Sequence, residues 1–218
     1  MVHIQMRWKF IQGTMALAVG VCALSAASTL GGSPPPLPRP DHIVMVIEEN
    51  HAYSQIIDSP DASYINRLAA QGAVFTQSFG ITYPSQPNYL ALFSGSTQGI
   101  TDNSCPHTFT TPNLGHALLA VGLTFAGYSE DLPSVGSLIC GVGLYARKHN
   151  PLVNWQDSVD NGLPATANVP MTSFPTDYTK LPTMSVIVPN QVNNMHHGKD
   201  PDRIQAGDRW LQIGRAHV

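Results

Sequence analysis

The chain has 218 residues, of which 43% are hydrophobic and 11% are charged, and its formal net charge is −3 at pH 7. This length allows one domain with a sizeable core, and the apolar content excludes a disordered chain. The charged fraction is well below the roughly 25% of average soluble domains, and the balance of charge provides no basic surface for nucleic acid.

The first 40 residues predict an export signal and a linker. Arg7 and Lys9 precede an apolar stretch that ends at residue 27 in small residues, so we interpret residues 1–27 as a signal peptide. A transmembrane anchor is the alternative, but polar residues at positions 12–14 shorten the apolar run. We expect a secreted or periplasmic protein with no stable membrane span. Residues 28–40, rich in proline and glycine, predict a linker.

The first elements of the folded part follow from residue 41. The β-branched run "HIVMVI", residues 42–47, predicts a strand that is buried on both faces. The segment "DASYINRLAAQG" predicts a helix that ends at Gly72. The next segment, "AVFTQSFG" at residues 73–80, is a candidate for a second strand.

Helices and strands continue to alternate along the chain. A short helix is expected from Ser85 to Phe93, closed by Gly95, and "NLGHALLAVG" predicts another that ends at Gly122. The segments "LTFAGY" and "TMSVIVPN" predict strands. This alternation predicts an α/β fold with a mostly parallel central sheet flanked by helices.

Polar residues follow the predicted strands. They are Glu48, Glu49 and Asn50 after the first strand, Glu130 and Asp131 after a later one, Ser85, and residues 190–197 after the last. Ligands of such sheets bind beyond the carboxyl ends of the strands. Carboxylates, amides, a hydroxyl and histidines at one edge indicate a site for a divalent metal ion and a phosphate.

Ser85, in "YPSQPNYLALFSG", has two interpretations. It is either the N-cap of a helix that starts at Pro87, or a nucleophile at a helix N-terminus, where an anion would bind. A serine hydroxyl needs a base or a metal to become a nucleophile, and Glu49 and Asn50 could hold a cation for this purpose. We favour the chemical interpretation.

Two further patterns each leave an alternative open. Removal of the signal peptide leaves Cys105 and Cys140, and a pair of cysteines in an exported chain predicts one disulfide, with two free buried thiols as the alternative. Residues 127–131 approach the Gly-x-Ser-x-Gly motif of α/β-hydrolases, but Asp131 replaces the final glycine, so an esterase is a weak alternative.

Five segments in this order carry a resemblance to a known family: "HIVMVIEENHAY", "YPSQPNYLALFSG", "FAGYSEDLPSVG", "YARKHNPLVNW" and "VPNQVNNMHHG…GDRWL". The chain resembles secreted acid phosphatases and phospholipase C-type phosphoesterases of the alkaline-phosphatase-like superfamily. It is most similar to the small bacterial members that dephosphorylate phosphoinositides. The resemblance covers residues 41–212, which we interpret as a phosphoesterase domain.

The resemblance implies a role for each matched residue. Ser85 would be the catalytic nucleophile, and the metal ligands would be Glu49, Asn50, His196 and Asp208. Substrate phosphate would be bound by Asn88, Arg147, Lys148 and His149. The family commonly has Asn-Asp-Met-His-Asp where this chain has "NNMHH", residues 193–197, so both acidic residues of that motif are absent. His197 could still bind zinc.

The implied function is metal-dependent hydrolysis of phosphate monoesters through a phosphoserine intermediate. The substrate would be a phosphorylated small molecule or a phospholipid headgroup. The alternatives are a phospholipase C-like phosphodiesterase and an inactive fragment. The family continues beyond the helix at Gly207, so we expect a truncated domain. Residues 213–218 match the translation of a common sequencing-adapter sequence, and we interpret them as an artefact.

Overall fold

A computed structural model describes residues 39–216 of the chain and the side chains of residues 39–212. The predicted signal peptide and most of the predicted linker lie outside the described residues. No helix within the described range is long and apolar enough to cross a membrane.

Four strands form a central sheet: β1 (Ile43–Val46), β2 (Phe125–Ser129), β5 (Asn168–Pro170) and β6 (Met184–Val188). They run parallel in the order β1-β6-β2-β5. Two short strands, β3 (Gly141–Val142) and β4 (Tyr145–Ala146), pair separately as an antiparallel hairpin. The predicted α/β fold with a mostly parallel sheet is confirmed.

Helices cover the two faces of this sheet. The α-helices are α1 (Tyr53–Ile56), α2 (Ser63–Gln71), α3 (Ser85–Ser94), α4 (Leu114–Ala120) and α5 (Asp202–Ala216). Short 3₁₀ helices span Pro60–Ala62, Arg147–His149, Pro151–Trp155, Ala165–Ala167, Met171–Ser173 and Tyr178–Lys180. Gly95 ends α3 with a φ of 73°, a left-handed conformation that glycine adopts without strain.

The core forms because successive side chains of a strand point to opposite faces of the sheet. On one face, Phe125 and Val186 pack against Leu90, Leu152 and Trp155. On the other face, a smaller cluster contains Ala126, Tyr128 and Ile187. The sheet is thus covered on both faces around β2 and β6.

Strand β1 is less buried than the sequence predicted. Among the strands of residues 39–216 it pairs only with β6, which places it at an edge of the described sheet, and Ile43 and Val44 keep 47% and 44% of their surface exposed. The prediction of burial on both faces is wrong because a run of β-branched residues indicates a strand but does not indicate which neighbours cover it.

The predicted strand at residues 73–80 is absent from the structure. This segment is irregular and exposed throughout, with Phe75 and Phe79 about four-fifths exposed at 80% and 81%. A strand needs hydrogen bonds to a partner strand, and no described strand lies alongside this segment. The apolar pattern alone was therefore insufficient to form one.

The structure contains a disulfide between Cys105 and Cys140, which are separated by 35 residues. Cys140 directly precedes the β3–β4 hairpin, and its carbonyl accepts a hydrogen bond from the backbone N–H of Arg147 at 3.0 Å. The disulfide and this hydrogen bond fix the chain immediately before Lys148 and His149.

Candidate active site

Ser85 is the first helical residue of α3, and its hydroxyl points at a carboxylate. The Oγ atom donates a hydrogen bond to Glu49 Oε2 at 3.1 Å. Pro84, and not Ser85, occupies the N-cap position, and the side chain of Asn103, from outside the helix, accepts from the backbone N–H of Gln86 in the first turn at 3.0 Å. The N-cap interpretation of Ser85 is therefore wrong in this structure, because the helix begins two residues before Pro87 and the hydroxyl bonds elsewhere.

Glu49 follows the end of β1 and is buried, with 8% of its surface exposed. Its second oxygen, Oε1, lies 3.2 Å from His149 Nε2. Burial alone would raise the pKa of Glu49. The contact with His149 and the hydrogen bond from Ser85 outweigh burial and hold this pKa below its usual value. Glu49 is thus ionised at neutral pH. Its Oε2 accepts the hydrogen bond from Ser85, and its Oε1 lies beside His149.

His149 and His196 complete the cluster beside Glu49. His149 is buried and stacks on Tyr89, with 5.0 Å between the ring centroids, while the His196 ring centroid lies 5.5 Å from that of His149. Burial, together with the charge of Lys148, lowers the pKa of His196 to about 4. His196 is therefore a neutral imidazole at neutral pH, the form that binds metal ions.

The residue types of this cluster suit a divalent metal ion. Glu49, His149 and His196 each offer a ligand atom, and these atoms lie within 4.8 Å of one another. A carboxylate with two imidazoles is a donor set that zinc and related metals accept. Within the described residues, His149 Nε2 and His196 Nδ1 are buried and form no well-aligned hydrogen bond, although His149 Nε2 lies 3.2 Å from Glu49 Oε1.

Lys148 lies close to the cluster, as expected for a group that contacts phosphate. Its Nζ atom is 3.2 Å from His196 Nε2. This places an amino group beside His196, on a flexible side chain that can turn toward a bound anion.

Arg147 has a structural position in this structure, and its expected contact with substrate phosphate stays a prediction. Its guanidinium donates to the carbonyls of Leu138 and His107 and to Asn154 Oδ1, at 2.7–3.1 Å. Only 4% of its surface is exposed. In this arrangement its donors bind the protein and not a ligand.

Asp208 lies outside the cluster of Glu49, His149 and His196, and its place in or near the metal shell stays a prediction. Its carboxylate accepts from the backbone N–H groups of Tyr64 and Ile65 at 3.0 and 2.8 Å. These are free donors at the start of α2, and Asp208 satisfies them from α5. The residue links two helices and does not reach Glu49.

Asn88 has both ends of its amide engaged within its own loop. Its Oδ1 accepts from the backbone N–H groups of Ile81 and Thr82, and its Nδ2 donates to the carbonyls of Thr82 and Pro84. The expected bond from Asn88 to a phosphoryl oxygen is therefore not available in this arrangement. Asn88 instead shapes the turn that leads into Ser85.

Three other predicted groups lie near the cluster without joining it. Asn50 is exposed with a φ of 64°, and it lines a cavity of about 420 Å³ with Glu48 and Glu49. Burial, with a smaller contribution from Glu130, raises the pKa of Glu48 to about 8. His197 is exposed and only its ring edge approaches His196, at 5.2 Å between centroids.

Glu130 holds the turn that carries His196. Its carboxylate accepts from the backbone N–H of Asn190, from Asn193 Nδ2 and from Trp210 Nε1. Asp131 accepts from Asn190 Nδ2 at 2.9 Å. The predicted convergence of polar groups beyond β2 and β6 is thus present, as a supporting network beside the cluster.

Sequence reasoning missed two residues of the site. Tyr89 was treated as part of an apolar run, although helical spacing places it one turn after Ser85, near the same carboxylate. Asn194 was noted only as a departure from the family motif. In the structure it contacts Glu49, His149 and His196 and is 1% exposed.

Comparison with known proteins assigns the class of this chain. A model described as the Phosphoesterase family matches residues 55–214. The chain therefore belongs to the phosphoesterase family. No solved structure matches it.

Characterised relatives fall in the same class. The chain is 45% identical over 202 residues to a phosphatidylinositol-3-phosphatase of Mycobacterium tuberculosis, covering 91% of this chain and 64% of the relative. It is 32% identical over 155 residues to an acid phosphatase of Aspergillus fumigatus, covering 66% of this chain and 33% of the relative. A phosphate-repressible acid phosphatase of Penicillium chrysogenum is 30% identical over 142 residues, covering 61% and 34%. The chain thus spans between one third and two thirds of their lengths.

Proposed function

We propose that this chain hydrolyses phosphate monoesters, with Ser85 as the nucleophile and Glu49 as the group that accepts its proton. The observation that carries the proposal is the 3.1 Å hydrogen bond from Ser85 Oγ to the buried carboxylate of Glu49. Membership of the phosphoesterase family and the phosphatases among its relatives support the same reaction class.

The proton of Ser85 moves to Glu49 as Oγ bonds to phosphorus and the bond from phosphorus to the leaving oxygen breaks. The leaving alcohol takes a proton from solvent water, and Ser85 carries the phosphoryl group. In the second half, a water oxygen attacks phosphorus, the bond to Oγ breaks, and Oγ takes back its proton from Glu49. The attacking water gives one proton to the hydroxide that the first half left in solvent, and inorganic phosphate leaves. The lowered pKa of Glu49 keeps it ionised at neutral pH and so able to accept a proton, although it also makes the carboxylate a weaker base.

Positive charge is needed beside the transferring phosphoryl group. The N-terminus of α3 supplies a partial positive charge at Ser85, and Lys148 supplies a full one near His196. Glu49 and His196, with His149 beside them, would hold a divalent cation that adds Lewis-acid stabilisation of the phosphoryl oxygens.

The substrate class follows from the relatives. The mycobacterial relative is named a phosphatidylinositol-3-phosphatase, so the headgroup of a phosphoinositide is the first natural substrate to test. We also propose that residues 1–27 direct export and that residues 41–212 form the phosphoesterase domain.

Phosphatase assays with matched serine variants test this proposal. Para-nitrophenyl phosphate should be hydrolysed faster than its phosphorylcholine diester, and Ser85→Ala should lower turnover of the monoester by several orders of magnitude. Ser94→Ala is the control, because Ser94 lies at the other end of α3 and donates to Leu90 O and Ser96 O. An active Ser85→Ala protein would refute the nucleophile. Preference for the diester would favour a phospholipase C-type reaction.

A further inference from the structure

Asn194 touches every member of the cluster through a different atom. Its carbonyl oxygen accepts from Glu49 N at 2.8 Å, its Oδ1 accepts from His196 N at 2.9 Å, and its Nδ2 lies 3.1 Å from His149 Nδ1. It is buried, with 1% of its surface exposed, so no water competes for these bonds. Asn194 thus joins the backbone N–H groups of Glu49 and His196 to the imidazole of His149.

The orientation of this amide is fixed by the backbone. The N–H of His196 can only donate, so the amide atom that faces it must be the oxygen, Oδ1. The amide nitrogen then faces His149, and because an amide nitrogen only donates, His149 Nδ1 must accept. A neutral imidazole that accepts at Nδ1 carries its proton on Nε2, the atom 3.2 Å from Glu49 Oε1.

We propose that Asn194 is a positioning residue that fixes the tautomer of His149, so that His149 presents an N–H to Glu49 and not a lone pair to a metal ion. Binding of a cation by His149 Nε2 would require the proton to move to Nδ1, opposite the donor nitrogen of Asn194. Turning the amide would remove the acceptor of His196 N. By contrast, Lys148, beside His196, lies on a flexible stem and can withdraw.

This arrangement divides the roles within the cluster. Glu49 and His196 remain free to bind a cation, while the Nε2 proton of His149 lies on the side of the Glu49 carboxylate opposite Ser85, with Nε2 3.2 Å from Oε1. An aspartate at position 194 would accept from both His196 N and His149 Nδ1, which would release Nε2 as a ligand. Whether residue 194 is an asparagine or an aspartate therefore determines whether His149 can join Glu49 and His196 as a metal ligand.

The first test is nitrogen NMR of the full chain labelled with ¹⁵N-histidine, in the presence of chelator and at about pH 9, where an ordinary imidazole is neutral. His149 is assigned by the signals that disappear in His149→Gln. We expect a proton on Nε2 and a hydrogen-bonded acceptor at Nδ1. A proton on Nδ1, alone or together with Nε2, would overturn the proposal.

The second test exchanges the amide. Asn194→Asp should place a proton on His149 Nδ1 and tighten zinc binding by about 10–100-fold in calorimetry, the range typical of outer partners of metal ligands. Asn50→Asp adds the same charge beside Glu49 and should leave the His149 tautomer unchanged. An Asn194→Asp protein with unchanged zinc affinity, or a His149 signal that shifts equally in Asn50→Asp, would contradict the proposal. Neither readout depends on turnover, so this proposal and the nucleophilic role of Ser85 can fail separately.

Discussion

The carboxylate of Asp208 binds the first turn of α2, and this contact predicts a purely structural effect of its removal. Asp208→Ala leaves the backbone N–H groups of Tyr64 and Ile65 without their acceptor. The free energy of unfolding should fall by about 0.5–2 kcal/mol, as for loss of a helix cap. Urea unfolding measures this, with Asp202→Ala, an exposed residue of the same helix, as the control. If Asp208→Ala keeps the free energy of unfolding of the parent but no longer binds zinc, Asp208 is a metal ligand and not a structural residue.

Glu48 predicts an effect that depends on pH. Its pKa is about 8 in the folded chain against 4.5 for an ordinary glutamate, because burial and Glu130 disfavour its charge. A raised carboxyl pKa makes folding less favourable as pH rises from the unfolded value through the folded one. In chelator, Glu48→Gln should therefore melt at the same temperature as the parent near pH 4 and progressively higher toward pH 8.

The control for Glu48 is Asp160→Asn, which removes one exposed carboxylate from another part of the chain. It should show no such trend. If the difference in melting temperature between Glu48→Gln and the parent is constant across this range, Glu48 is not a buried carboxyl with a raised pKa.

At the scale of single residues, the sequence predicted the position of Ser85 beside Glu49 but not the partners of every polar group. Motif order indicated which residues gather at the carboxyl ends of the strands. Motif order could not indicate that the side chains of Arg147 and Asn88 donate hydrogen bonds to backbone carbonyls, because these contacts form only when the chain folds. The role of Asn194 likewise depends on three contacts from distant parts of the chain.

Among the elements, the hairpin β3–β4 depends on the disulfide for its position. Closing a loop of 35 residues should stabilise the fold by about 3–4 kcal/mol in the chain-entropy model. The double variant Cys105→Ser/Cys140→Ser should lose this amount in chemical unfolding. Mass spectrometry of unreduced peptides from the parent should find the two cysteines joined, and free thiols at both positions would contradict the prediction.

Helices and central strands were predictable because their patterns are local. The glycines that end α2 and α3 and the asparagine that caps α4 appear within each segment, and β2 and β6 are continuous apolar runs closed by polar residues. Strand β5 escaped notice because its three residues, Asn168–Pro170, carry no such pattern. The segment at residues 73–80 has the pattern of a strand without a partner, and pairing is decided by the rest of the fold.

At the scale of the whole molecule, β1 lies at an edge of the sheet within the described residues, and this edge affects the solubility of the chain. Val44 and Val46 border a cavity of about 540 Å³ that is lined mainly by apolar side chains, including Leu68, Trp210 and Leu211. An unpaired apolar edge promotes association between chains. We therefore expect the 218-residue chain to self-associate and to be poorly soluble.

A charge on this edge should reduce that association. Val44→Lys should lower the aggregated fraction in size-exclusion chromatography with light scattering, because a lysine on an edge strand opposes pairing. Val159→Lys is the matched control, since Val159 is 91% exposed in an irregular segment away from the sheet. A chain that is monomeric at high concentration, or an equal effect of both variants, would contradict this expectation.

The most direct test of the proposed reaction is to trap the phosphoryl group on the protein. The chain is mixed with para-nitrophenyl phosphate, quenched in acid before one turnover is complete, digested, and analysed by mass spectrometry. The account predicts one phosphate on the peptide that contains Ser85, and none on the same peptide from Ser85→Ala. Release of nitrophenol with the phosphate on another residue, or with no phosphorylated peptide at any quench time, would contradict it.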